Sequence, residues 1–282
     1  MPANKYASFP PIYILKTRMR QLSPFLVCSH SLITPLIGTF QILRIKNMHF
    51  SEVKIPVRNK LLEGSLSKCP EPGRIVLFSH GSGSSRKSPR NRLVAESLWQ
   101  KGISTLLFDL LTEQESADFS LRFDIPLLTE RLIGATLWVR TQPEIQDYRM
   151  GYFGASTGAA AALGAAEGRQ DIVAVVSRGG RPDLVMNVLP SVHIPVLFIV
   201  GGRDEVIGAL NKEAFDLLKG EKQLLTVPGA THLFEEIGTL EQVAKAAAAW
   251  FDRYFKRAEY KNETQHAPTI QRPPGSGPLT GI

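Results

Sequence analysis

The chemistry of this chain centres on one short segment, Met150-Gly-Tyr-Phe-Gly154-Ala-Ser156-Thr157-Gly158, in which glycines flank a serine at two residues on either side. At a strand-to-helix turn, Gly-x-Ser-x-Gly bends the chain sharply and lifts the serine hydroxyl above the end of a sheet. A side chain at either glycine would strike neighbouring backbone. A serine hydroxyl is a weak nucleophile at neutral pH and needs a base within hydrogen-bond reach, itself oriented by a third group.

Both partners can be sought downstream, where the order serine, acid, histidine is expected. The apolar run Pro195–Val200 leads into Gly201-Gly202-Arg203-Asp204, and Leu224–Pro228 leads into Gly229-Ala230-Thr231-His232. Each run reads as a strand, so Asp204 and His232 fall at the sheet edge that carries Ser156. The other histidines compete poorly. His30 and His49 precede the core, His266 lies near the end, and His193 stands before a strand at the opposite edge. Asp204 is preferred to Glu205 and Asp183 because the two glycines before it permit the turn that aims it inward.

Attack on a carbonyl creates an oxyanion, which preorganised backbone N–H groups stabilise. The glycine-rich turn His80-Gly81-Ser82-Gly83-Ser84-Ser85 follows a strand and can present one such donor. The expected pair is the amides of Ser82 and Thr157, with His80 ordering the loop. Ser177-Arg178-Gly179-Gly180-Arg181 leaves another strand at the same edge. Arg178 or Arg181 could hold a substrate carboxylate or phosphate, or could form a structural ion pair with Asp183 or Asp109. The stretch Gly81–Ser88 falls one glycine short of a phosphate-binding loop, with Arg86 where the backbone must turn, and no Gly-x-Gly-x-x-Gly fingerprint occurs. Nucleotide hydrolysis and dinucleotide binding are therefore disfavoured.

Short aliphatic or β-branched runs alternate with amphipathic stretches, the pattern of a parallel sheet covered by helices. The runs predict strands at Val53–Val57, Lys60–Leu66, Arg74–Ser79, Ser104–Leu110, Met150–Phe153, Ile172–Ser177, Val196–Val200 and Gln223–Val227. Helices are expected at Pro89–Lys101, Ile125–Arg140, Ser156–Glu167, Ala209–Leu218 and Leu240–Phe255. In the last, Leu240, Val243, Ala247, Trp250, Phe251 and Tyr254 share a face, and Thr239 with Gln242 reads as a capping box.

The 282 residues carry a formal charge of +7, but six basic residues and no acid lie within the first 50, so the rest is nearly neutral. No basic stripe interleaved with aromatics marks it for nucleic acid. Residues 1–47 are expected to stand outside the core, as a targeting peptide, a weak anchor or untranslated sequence upstream of a start at Met48. The apolar run Phe25–Ile42 is too interrupted for a stable membrane span. Residues 48–257 form the expected domain. Residues 258–282, with few apolar side chains, read as a disordered tail. Cys28 and Cys69 provide neither a disulfide framework nor zinc-ligand spacing, and point to a reducing, cytoplasmic setting.

His80-Gly81-Ser82, Gly154-x-Ser156-x-Gly158, Gly202-Arg203-Asp204 and Ala230-Thr231-His232 together resemble the α/β-hydrolase superfamily, and the compact dienelactone-hydrolase-like branch most. The resemblance spans about residues 51–257. It implies an α/β fold with a mostly parallel eight-stranded sheet, helices on both faces and no large cap domain. It also implies esterase-type chemistry with no cofactor and no metal. Dienelactone hydrolase itself uses a cysteine nucleophile, whereas Ser156 stands here, so its lactone substrate is not implied. The expectation is hydrolysis of a small acyl compound through an acyl-enzyme, in an open site with a lid of only about 10–15 residues, Arg181 to His193. Peptidase or thioesterase activity, or a non-catalytic binding module on the same fold, are the alternatives; the sequence does not fix an oligomeric state.

Overall fold

The computed structural model describes residues 48–71 and 73–265, the last five of these as backbone only. Residues 1–47 and 266–282 lie outside the described residues, and with them the expectations placed on the front segment and on most of the tail.

Eight strands form one sheet: β1 (Ser51–Val57), β2 (Lys60–Ser67), β3 (Arg74–Ser79), β4 (Ser104–Phe108), β5 (Arg149–Ala155), β6 (Ile172–Arg178), β7 (Val196–Gly201) and β8 (Lys222–Val227). Their spatial order is β1-β2-β4-β3-β5-β6-β7-β8. β1 pairs antiparallel with β2, and β2 antiparallel with β4; every later pairing is parallel. The continuous apolar runs follow from this arrangement, since a parallel strand covered on both faces needs apolar side chains at both alternating positions. In β3, Ile75 and Leu77 pack into one core while Val76 and Phe78 pack into the other.

Helices α1 (Pro89–Trp99) and α6 (Thr239–Gln265) cover one face; α3 (Ile125–Arg140), α4 (Thr157–Ala165) and α5 (Glu205–Leu217) cover the other. Caps fix several starts. Ser88 accepts from the Asn91 amide ahead of Pro89, and Asp124 accepts from the Leu127 amide ahead of Pro126, each filling one unsatisfied N–H of a first turn. Gly151 in β5 leaves space for α6: a Cβ there would lie 2.6 Å from the Phe251 ring.

Four sequence expectations change. A short helix, α2 (Glu113–Ala117), lies between β4 and α3, closed by a Thr112–Glu115 capping box. The box expected at Thr239–Gln242 does not form. Helix α6 already includes Thr239, whose hydroxyl donates to the Glu236 carbonyl, while the Gln242 amide side chain donates to Gly238. Helix α5 begins four residues before the expected Ala209, at Glu205. Finally, residues 258–265 continue α6 rather than starting a disordered tail. Ala258, Glu259, Lys261, Glu263 and Gln265 in that stretch are good helix formers, and Glu259 forms a two-pronged ion pair with Arg74 at the start of β3, tying the extension to the sheet.

The β6–β7 connection, expected as a short lid, contains two single 3-10 turns, Pro182–Val185 and Leu189–Ser191. Val185, Leu189 and Val192 are buried, so the segment packs down rather than standing over the sheet. Among the described residues, no helix is long and apolar enough to cross a membrane.

Candidate active site

Ser156 occupies the turn between β5 and α4 with φ 53° and ψ −121°. A β-carbon in this region is strained, at a cost on the order of 1–3 kcal/mol. The close approaches around it explain the flanking glycines. A Cβ on Gly154 would lie 2.4 Å from the Ala159 Cα, and one on Gly158 would lie 2.2 Å from the Ser79 carbonyl oxygen. The bend is held by backbone: the Ser156 amide donates to the Arg178 carbonyl at 3.1 Å, and the Arg181 amide donates to the Ser156 carbonyl at 3.1 Å. The serine is thus pinned to the end of the neighbouring strand β6.

Asp204 and His232 meet. The His232 Nδ1 and Asp204 Oδ2 lie 2.7 Å apart, with Asp204 the more buried of the two. Asp204 occupies the N-cap position of α5, yet its carboxylate caps no helix amide. It is directed to the imidazole instead. The loops bearing the two residues are fastened together by backbone bonds from Gly202 to Val227 (2.8 Å) and from Arg203 to Ala230 (2.9 Å). The Thr231 amide donates to Glu236, whose carboxyl is held below its ordinary pKa first by the Thr231 hydroxyl and then by that amide. The His232 imidazole packs against Gly179: a Cβ on this positive-φ glycine would lie 3.4 Å from the His232 Cε1 and Nδ1. Among the described residues, no hydrogen bond joins the Ser156 hydroxyl to His232; such bonds are often long before substrate binds.

The loop after β3 abuts the serine, since a Cβ on Gly81 would lie 3.0 Å from the Ser156 Cβ. His80 orders this loop. The Leu110 amide donates to its Nε2 at 3.1 Å, and its Nδ1 lies 3.0 Å from the Gly81 carbonyl. An acceptor nitrogen on one side and a donor on the other define a neutral imidazole, and burial holds the His80 pKa below its usual value.

The expectation of two free oxyanion amides needs correction. The Ser82 amide donates to the Thr157 Oγ1 at 2.9 Å, so it is not free. The hydroxyl of the second expected residue has taken the place assigned to substrate.

The two candidate arginines also part company. Arg181 is engaged by Asp183 through two bonds, at 2.8 and 2.7 Å, and serves as a structural ion pair. Arg178 is only 7% exposed, and among the described residues its Nε and Nη1 are buried without a hydrogen-bond partner. Its guanidinium lies 5.9 Å over the Phe234 ring. Burial, with repulsion from Arg90, pulls its pKa down to about 10, so it remains a cation at neutral pH. The near-phosphate loop is likewise accounted for: the Arg86 amide and Nη1 both bind Asp109, and its Nη2 binds Glu52.

Sequence reading missed the segment around α2. Arg122, Leu110 and Leu111 line a narrow cleft together with Ser82, Gly83 and Thr157, and the Arg122 Nε is anchored on the Ser116 carbonyl. The available signal was Thr112-x-x-Glu115, a capping-box spacing in the sequence.

Comparison with known proteins adds to this geometry. The model of the dienelactone hydrolase family matches residues 70–258. The crystal structure of a dienelactone hydrolase from Anabaena variabilis is 50% identical, with a TM-score of 0.71, covering 73% of this chain and 98% of that one. Est1E from Butyrivibrio proteoclasticus shares the fold at 17% identity and a TM-score of 0.62, over 73% of this chain and 99% of its own. A Mycobacterium tuberculosis protein with a provisional phosphoribosyl transferase name is 55% identical over 201 residues, which are 71% of this chain and 45% of that protein. The chain therefore spans less than half the length of this curated relative.

Proposed function

Because the chain belongs to the dienelactone hydrolase family, with its α/β-hydrolase fold, we propose that it hydrolyses a small carboxylic ester by way of an acyl-enzyme on Ser156. The observation that carries this reading is the 2.7 Å contact of His232 with Asp204, at the sheet edge where Ser156 is held strained. The acid has no capping role to explain its place.

In the proposed reaction the Ser156 Oγ attacks the ester carbonyl carbon while His232 Nε2 takes the hydroxyl proton. Asp204 keeps the imidazole in the tautomer with hydrogen on Nδ1 and stabilises the imidazolium that forms. The tetrahedral intermediate collapses, the C–O bond to the leaving alcohol breaks, and His232 returns its proton to that oxygen. Water, deprotonated by the same imidazole, then adds to the acyl carbon; the bond to the Ser156 Oγ breaks, the acid leaves and His232 returns the proton to that oxygen. The Thr157 amide, at the first position of α4, has no partner inside its helix and supports the developing oxyanion.

Arg178, buried against Phe234 two residues beyond His232, is the group proposed to give a preference for substrates with a negative charge. A buried guanidinium without an acidic partner is costly, and an anion provides the missing charge. The provisional transferase name belongs to a protein more than half of which this chain does not cover. The stretches matched by that protein and by the hydrolase family model are too long not to overlap in 282 residues, which favours hydrolysis for this chain.

The test is labelling with a fluorophosphonate alongside hydrolysis of nitrophenyl esters of increasing chain length. Labelling and turnover that vanish together in Ser156→Ala and His232→Ala support the reading. A protein that neither labels nor turns over these esters is a binding scaffold, and the reading fails.

A further inference from the structure

We propose that the Thr157 side-chain hydroxyl is itself an oxyanion donor, relaying the Ser82 amide to the substrate. This inference rests on the assignment of Ser156 as nucleophile and concerns what stabilises the charge that its attack creates.

The argument begins with the direction of one hydrogen bond. The Ser82 N–H donates to the Thr157 Oγ1 at 2.9 Å. A hydroxyl that accepts on one lone pair still has its own proton to place, and that proton points away from the amide. Among the described residues nothing accepts it. Thr157 is 1% exposed, so bulk water does not readily satisfy the proton either. A buried donor without an acceptor costs about 1–3 kcal/mol, and a site that binds an oxyanion gives it an acceptor at the moment of reaction.

Position supports the same role. Thr157 directly follows Ser156 and opens α4, and it lines a narrow cleft with Ser82, Gly83 and Leu110. Gly81, on the same loop, leaves no room for a side chain there, since a Cβ on it would lie 3.0 Å from the Ser156 Cβ. The hydroxyl is therefore beside the point where the carbonyl oxygen becomes negative.

The chemistry is a hydrogen-bond relay without proton transfer. When the Oγ–C bond forms, the carbonyl π pair moves to oxygen, and the nucleophile's proton passes to His232. The Thr157 O–H donates to the new O⁻ while still accepting from the Ser82 N–H, so each bond polarises the next. With the Thr157 amide as the other donor, one residue serves the oxyanion through both backbone and side chain.

Thr157→Val keeps the shape and deletes the hydroxyl; Thr157→Ala is the smaller substitute should valine disturb folding, and Thr157→Ser restores the group. The expected result is a loss of about 100-fold in kcat, with KM nearly unchanged and a parallel loss of affinity for an aryl boronic acid, which mimics the tetrahedral intermediate. The serine variant should recover most of both. Undiminished or faster turnover in a folded valine or alanine variant would overturn the relay, because the freed Ser82 amide would then act directly. Failure of the underlying assignment looks different: Ser156→Ala would retain activity.

Discussion

His232 and Asp204, 28 residues apart in the chain, are joined at 2.7 Å by two loops that share backbone hydrogen bonds beyond the ends of β7 and β8. The carboxylate has given up the amides of α5 to make this contact. Asp204→Asn should keep the geometry but favour the wrong imidazole tautomer, lowering kcat by about 10³–10⁴. Little change in thermal stability is expected. Steady-state ester hydrolysis and the rate of fluorophosphonate labelling measure the effect; a modest, equal change in kcat and Tm would reduce Asp204 to a structural partner.

The strain at Ser156 predicts that removing this proposed nucleophile stabilises the fold. At φ 53° and ψ −121° glycine pays no Cβ penalty, although it gives back part of the gain through a freer unfolded chain. Ser156→Gly should be inactive and more stable by about 1 kcal/mol, which in a domain of this size raises Tm by about 2–4 °C. Calorimetry of both proteins at one pH decides. An unchanged or lower Tm would show that Ser156 interactions outweigh the strain.

Much of this arrangement was legible before the structure because it depends on short-range rules. Strands covered on both faces must be apolar throughout, and Gly154 and Gly158 are dictated by contacts within a few residues or with the adjacent strand. The failures concern atoms whose direction no spacing encodes. The sequence places Ser82 and Thr157 at one edge, but which polar atom meets which depends on the Thr157 rotamer. Helix α2 is only five residues long, too short for a periodic signal. The continuation of α6 draws on Arg74, 185 positions from Glu259. Alternation along β6 puts Ser177 and Arg178 on opposite faces; Ser177 lies on the α4 side, where a Cβ on Gly180 would meet both it and Ala159, so Arg178 lies on the other face.

Arg178 should trade stability against recognition. Its pKa, brought down to about 10 by burial and then by Arg90, means that the folded state holds a cation it does not favour. Arg178→Met removes the charge while filling similar volume. Stability at neutral pH should rise by roughly 1–3 kcal/mol, while kcat/KM falls at least about tenfold for esters bearing a carboxylate and hardly changes for neutral ones. Urea unfolding and paired ester kinetics test the two halves. Equal losses on charged and neutral esters would leave Arg178 a structural residue.

His80 predicts a specific acid sensitivity. Its neutral ring accepts from the Leu110 amide, and burial is the main cause of its lowered pKa. Above the unfolded value of about 6.5 neither state is protonated, so the contribution of His80 is complete. As pH falls below it, the unfolded chain takes up a proton that the folded chain resists, and stability declines until the folded pKa is passed. His80→Asn should be less stable at pH 7.5, having lost the fit to both partners, but should show a shallower fall of Tm between pH 7 and pH 5. Because the loop after β3 is anchored through this ring, the wild-type protein should lose fluorophosphonate reactivity as the folded His80 protonates, at a pH below that at which the unfolded chain does. Parallel Tm profiles for the two proteins would place the acid sensitivity elsewhere and remove His80 as the anchor of that loop.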